Sequence, residues 1–147
     1  MIYLISTAIA ASVLYLSYGV LFYGLRNSLS KLGSDWSRWL FALFIWAETF
    51  LIIPAMFEYT AENLKWVVFL TGAGLLLVGG ASVVSKDEQK YHNAGAAIAC
   101  MAGLVWLGLM NPVLLIIPLF ACIIGGTQYW QWGGEIGIML AIFMALL

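Results

Sequence analysis

Charge is what this chain has least of. Six lysines and arginines and seven aspartates and glutamates serve 147 residues, while 64% of them are hydrophobic and mean hydropathy is +1.00. A soluble domain carries about 25% charged residues, so this chain cannot cover a water-facing surface. The formal net charge is −1, which excludes a nucleic-acid partner. Cysteine is scarce too: Cys100 and Cys122 fall inside apolar runs and make no disulfide framework. Each is expected to act as a small buried hydrophobe. Histidine occurs once, as His92, and a lone histidine makes no metal site of ordinary spacing. HxxxH, GxSxG and paired-aspartate signatures are absent as well. The chain therefore presents no catalytic residue, metal site or cofactor site, and an enzyme is the less favoured class.

What remains is an all-α, polytopic transmembrane helical bundle. A membrane-crossing helix needs about 20 mostly apolar residues, and six stretches qualify, about 2–25, 39–57, 66–84, 94–110, 112–124 and 129–147. They form one transmembrane domain and leave no room for a soluble one. The fifth is short. Asn111-Pro112 precedes it and Gly125-Gly126 closes it. Proline suits the first turn of a helix, where its missing N–H needs no partner, so a tight turn is expected there. One long kinked helix instead would leave five spans. The first span has no basic residue before it and is expected to stay as an anchor, not a cleaved signal.

Basic residues give the orientation of a multi-pass integral membrane protein. Arg26, Lys31 and Arg38 lie in the first loop, Lys86 and Lys90 in the third, and only Lys65 on the opposite side. The first and third loops are thus expected in the cytoplasm and both termini outside. Trp36, Trp39, Trp66, Tyr91, Trp130 and Trp132 stand at span ends, where amphipathic rings favour the membrane interface.

Lipid gives apolar side chains no reason to leave it, so such helices meet through small residues. Gly95, Ala99 and Gly103 recur every four residues in the fourth span, and Gly72, Gly74, Gly79 and Gly80 mark the third. Close packing of these two spans along Gly95, Ala99 and Gly103 is expected; the alternative is that the glycines line a path. GVLFYGLRN at 19–27 also matches GLVWLGLMN at 103–111, and LIIP occurs at 51–54 and 115–118. A three-span duplication would give halves of opposite orientation, a plan common in transporters.

Three polar residues are candidates for ligand binding or proton coupling. Glu48 sits at the centre of the second span, where an ionisable group must be neutral, paired or facing water. It is expected to point into the bundle, meeting Ser12, Tyr15, Tyr18 or Thr71. Glu135, about 9 Å along its helix from Tyr129, is expected to snorkel toward the interface. His92 opens the fourth span beside Asn93, a cap-type residue. A dyad of His92 with Asp35, Asp87 or Glu88 is the enzymatic alternative.

The stretch WVVFLTGAGLLLVGGASVVSKDEQKYHNAGAAIACMAGLVWLG, with Gly72, Gly79, Asp87, His92, Gly95 and Ala96, resembles the DRAM-type (damage-regulated autophagy modulator) six-span proteins and their bacterial relatives. That resemblance covers about a third of the chain. It implies a six-helix bundle without established enzymatic activity, tied in eukaryotic members to lipid or organelle regulation. The expected role is that of a small non-enzymatic membrane protein whose partners are the lipid bilayer and a partner membrane protein or a second copy in a homo-oligomer. A small dimeric transporter or channel using Glu48 is the alternative.

Overall fold

The computed structural model describes residues 1–84 and 88–147, and the side chains of all of these except 33–36, 84 and 88. It is all-α. Six helices follow one another: α1 (Ile2–Tyr23), α2 (Leu29–Trp36), α3 (Arg38–Tyr59), α4 (Lys65–Val84), α5 (Glu88–Met110) and α6 (Ile116–Leu146). Five of them are long and apolar enough to cross a membrane; α2 is short. Short 3-10 turns at Glu62–Leu64 and Pro112–Leu115 lead into α4 and α6.

The turn expected at Asn111-Pro112 is present, with α5 ending at Met110 and proline opening the 3-10 turn. The element α6 is continuous in sequence but not in direction. Gly126 has φ 56° and ψ −158°, and Tyr129 is also non-helical. A positive φ costs glycine nothing because it has no Cβ. Beyond this point the chain doubles back. A Cβ built on Gly137 would stand 2.5 Å from Pro118 Cα, and one on Gly125 would stand 3.2 Å from the Trp130 nitrogen. One on Gly133 would strike the Ala121 carbonyl. Partners whose numbers fall on one side as they rise on the other describe an antiparallel hairpin. Its arms are 116–125 and 130–146. They pack so closely because Gly133, Gly134 and Gly137 remove side chains from the facing surface.

The chain thus passes six times along the bundle. At one end the Trp132 N–H donates to the Asn27 carbonyl at 3.1 Å, tying the turn of the hairpin to the connection after α1. At the other end Ile5 near the N-terminus and Leu146 near the C-terminus share one core. That core is filled by Met56, Val67, Val68, Trp106, Leu107 and Phe143, all buried. Trp106 is 1% exposed, and its Nε1 donates to Thr60 Oγ1 at 2.7 Å.

The helix α2 corrects the expectation of a plain polar loop. Gly24, with φ 74°, ends α1, and the chain then winds across that end of the bundle. Leu32 is fully buried against Gly19, where a Cβ would meet it at 2.6 Å. The helix α5 also begins earlier than its expected start at 94. Asn93 lies inside it, not at its cap, and accepts a 2.7 Å bond from Gln89 Nε2.

The α4–α5 seam is another close approach. A Cβ on Gly74 would lie 2.6 Å from the Ala99 nitrogen, and one on Gly95 would lie 2.8 Å from the Gly74 oxygen. Gly95 and Ala99 therefore stand where the four-residue spacing puts them. Gly103 does not: it faces Ile138 and Ile142 of α6 at 3.6 and 3.7 Å, an ordinary contact. Gly72 and Gly79 face α3, against Ile53 and Trp46. The two LIIP segments also differ, since Pro54 lies deep inside α3 while Pro118 is in the first turn of α6. Likewise Gly24 ends α1, whereas α5 continues through Gly108.

Candidate functional site

Away from the filled core, the bundle is hollow. A cavity of about 140 Å³ lies among α3, α4, α5 and the returning arm of α6. Its wall is mostly apolar, with Phe41, Phe44, Ile45, Leu75 and Ile138 prominent. Glu48, Glu135 and His92 line this same chamber. Three residues singled out in separate spans are thereby brought to one site by three different helices.

Glu48 points inward, as its depth in an apolar span requires. It is 5% exposed, and its Oε1 accepts a 2.8 Å bond from Ser12 Oγ of α1. Ser12 also lies 3.5 Å from Met139 Sδ, so α1, α3 and α6 converge here. The second carboxyl oxygen, Oε2, is buried and has no hydrogen-bond partner among the described residues. The other side chains considered as partners are engaged differently. Thr71 donates to the Val67 carbonyl at 3.0 Å. The Tyr15 ring stacks on Phe44 with centroids 4.0 Å apart.

Glu135 finds a specific partner at the end of the bundle where α2 lies. Its Oε2 accepts from the Leu29 backbone N–H at 2.6 Å. Leu29 begins α2, so the carboxylate caps an N-terminal donor that has no partner inside its own helix. A carboxylate there also meets the positive end of the helix dipole. The residue is a bracket between α6 and α2 as well as part of the chamber wall.

His92 packs near Phe41, ring centroids 6.0 Å apart. With Ser30 and Phe41 it lines both the chamber and a second, polar cavity of about 150 Å³. Lys31 and Arg38 stand in that vestibule with Ser28, Ser82 and Gln89. The side chains of Asp35, Asp87 and Glu88 lie outside the described residues, and with them the enzymatic dyad. Among the described residues no group of three histidine, cysteine or acidic side chains is placed to hold a metal.

Sequence reasoning missed the vestibule and the place of Phe41 and Phe44 in the chamber wall. An apolar run carries no mark of which of its faces looks into a void. The basic residues of the first loop were visible, but only as an orientation signal.

No family model, no curated protein and no solved structure matches this chain.

Proposed function

We propose that this is a six-span integral membrane protein that takes one small amphipathic molecule into its bundle, in a structural or regulatory role without catalysis. The observation that carries this reading is the pairing of cavities: an apolar chamber beside a polar vestibule, with Ser30, Phe41 and His92 lining both. A molecule with an apolar body and a polar end fits such a site.

A membrane setting is supported by the large apolar side chains on the outside, Leu21, Phe50, Phe69, Ile123 and Ile124 among them. The hairpin in α6 supports six crossings over five. The basic bias of the first and third loops supports a cytoplasmic vestibule and outer termini. The likeness of 66–108 to the DRAM-type proteins agrees with a lipid-linked role. Transport is the second reading, favoured by one feature: Glu48, at mid-span, lines the chamber with one buried oxygen that has no hydrogen-bond partner among the described residues.

The test uses the whole chain in nanodiscs with toluene as an apolar probe. The protein should melt at a higher temperature with toluene present, because a ligand of the folded state stabilises it by mass action. Ala96→Phe, which fills the chamber, should abolish that shift. No shift in the unaltered protein, or an equal shift in the filled variant, would overturn the reading.

A further inference from the structure

The chamber has more definition than an apolar hollow needs. A void lined only by hydrocarbon stays dry and takes a hydrocarbon; one of about 150 Å³ accepts benzene. This one, at about 140 Å³, is also of ring size. But Glu48 places a carboxyl in its wall, 95% removed from solvent, with one oxygen fixed by Ser12 and the other unpartnered among the described residues. Leaving such an oxygen unmet costs on the order of 1–3 kcal/mol in general, so a donor that reached this carboxyl from the chamber would be favoured. Glu135, the other acidic group of the wall, is already engaged with Leu29.

From the wall chemistry we infer that the chamber is a binding site for a hydrophobic amine: a ring-sized apolar body carrying a cationic nitrogen that donates to the Glu48 carboxylate. The inference rests on the amphiphile-binding reading above and specifies its ligand. Charge decides between classes. The ionisable groups facing Glu48 across the chamber are Glu135 from α6, and His92 and Cys100 from α5. None is a lysine or arginine, so a carboxylate ligand would find no fixed positive charge at that depth. An ammonium would find a carboxylate in a low-dielectric setting, where a charge-assisted bond is about twice as strong as a neutral one. Phe41 and Phe44 line the chamber as well, and aromatic rings attract cations. Lys31 is exposed, as is Arg38, so water and salt screen the vestibule charges against a cation bound deeper. They also weigh against the cation resting in the vestibule itself.

Three probes of one shape test this on the full chain in nanodiscs: benzylamine, toluene and benzoate. Affinity is read by titration, with the melting temperature as a second readout. Benzylamine should bind at least about tenfold more tightly than toluene, and benzoate more weakly than both. In E48Q the preference for benzylamine should vanish while toluene still binds. If E48Q does not fold, the ranking in the unaltered protein still decides. Equal binding of benzylamine and toluene overturns the amine inference and leaves the amphiphile reading standing. A preference for benzoate, or an amine preference that survives E48Q, also overturns it. Binding of none of the three overturns both.

Discussion

The two ends of this bundle are built from similar residues and packed differently. Near the termini, Ile5, Val67, Trp106, Leu107 and Leu146 close into a filled core. Toward the first and third connections, Phe41, Phe44, Leu75 and Ile138 surround a void. Composition does not explain the contrast. Placement of polar groups does. At the filled end Trp106 donates to Thr60, and Thr60 in turn donates to the Met56 carbonyl, so each polar side chain is met. At the hollow end one Glu48 oxygen is buried without a hydrogen-bond partner among the described residues. A filled end gives stability, and a hollow end gives room for a ligand, as in sites where function opposes close packing.

Substitutions should therefore separate the ends. The largest effect belongs to the α4–α5 seam that runs beside both. Gly74→Leu places side-chain atoms against the Ala99 and Gly95 backbone, which no rotamer change relieves, so a loss beyond about 3 kcal/mol is expected. Little folded protein should survive size-exclusion chromatography in detergent. Trp106→Phe comes next. It leaves Thr60 without its buried donor and opens a small void, a cost of about 1–2 kcal/mol in reversible unfolding. At the hollow end, Glu48→Gln keeps an acceptor for Ser12 and adds no bulk. It should change stability by less than about 0.5 kcal/mol while removing amine preference. The smallest effect is expected at Gly103→Ala. The new methyl would stand 3.6 Å from Ile138, and the melting temperature should stay within a degree or two. A large loss at Gly103 would move it back into a tight seam and blur the contrast between regions.

Much of this was legible in the sequence, for physical reasons. Length and apolarity mark helices because the backbone in lipid must bond to itself. The reversal at Gly126 was visible because paired glycines mark a break. The proposed membrane setting accounts for the inward Glu48, since lipid does not tolerate a carboxyl. What stayed hidden depends on rotation about helix axes. The four-residue stripe Gly95, Ala99, Gly103 runs up one face, but α4 follows it only through Gly95 and Ala99 before α6 takes over at Gly103. Nothing in spacing tells where one neighbour yields to another. The partner of Glu135 stayed hidden for a related reason, since its depth was readable but the N-terminus of α2 beside it was not. The helix α2 itself was overlooked although Leu29 and Leu32 repeat at helical spacing, because eight residues among charges resemble a connector.

The claim that the hollow end admits a ring-sized molecule has a built-in reporter. Cys100 lines the chamber, while Cys122 lies on the outgoing arm of α6 beside Gly134. The measurement is the rate at which a small neutral thiol reagent labels Cys100 in a Cys122→Ala background in nanodiscs, with and without toluene. A chamber that holds the ring should show labelling slowed several-fold by saturating toluene, and Ala96→Phe should make the slow rate independent of toluene. Labelling of Cys100 at one rate with and without toluene in the unfilled protein would contradict the account.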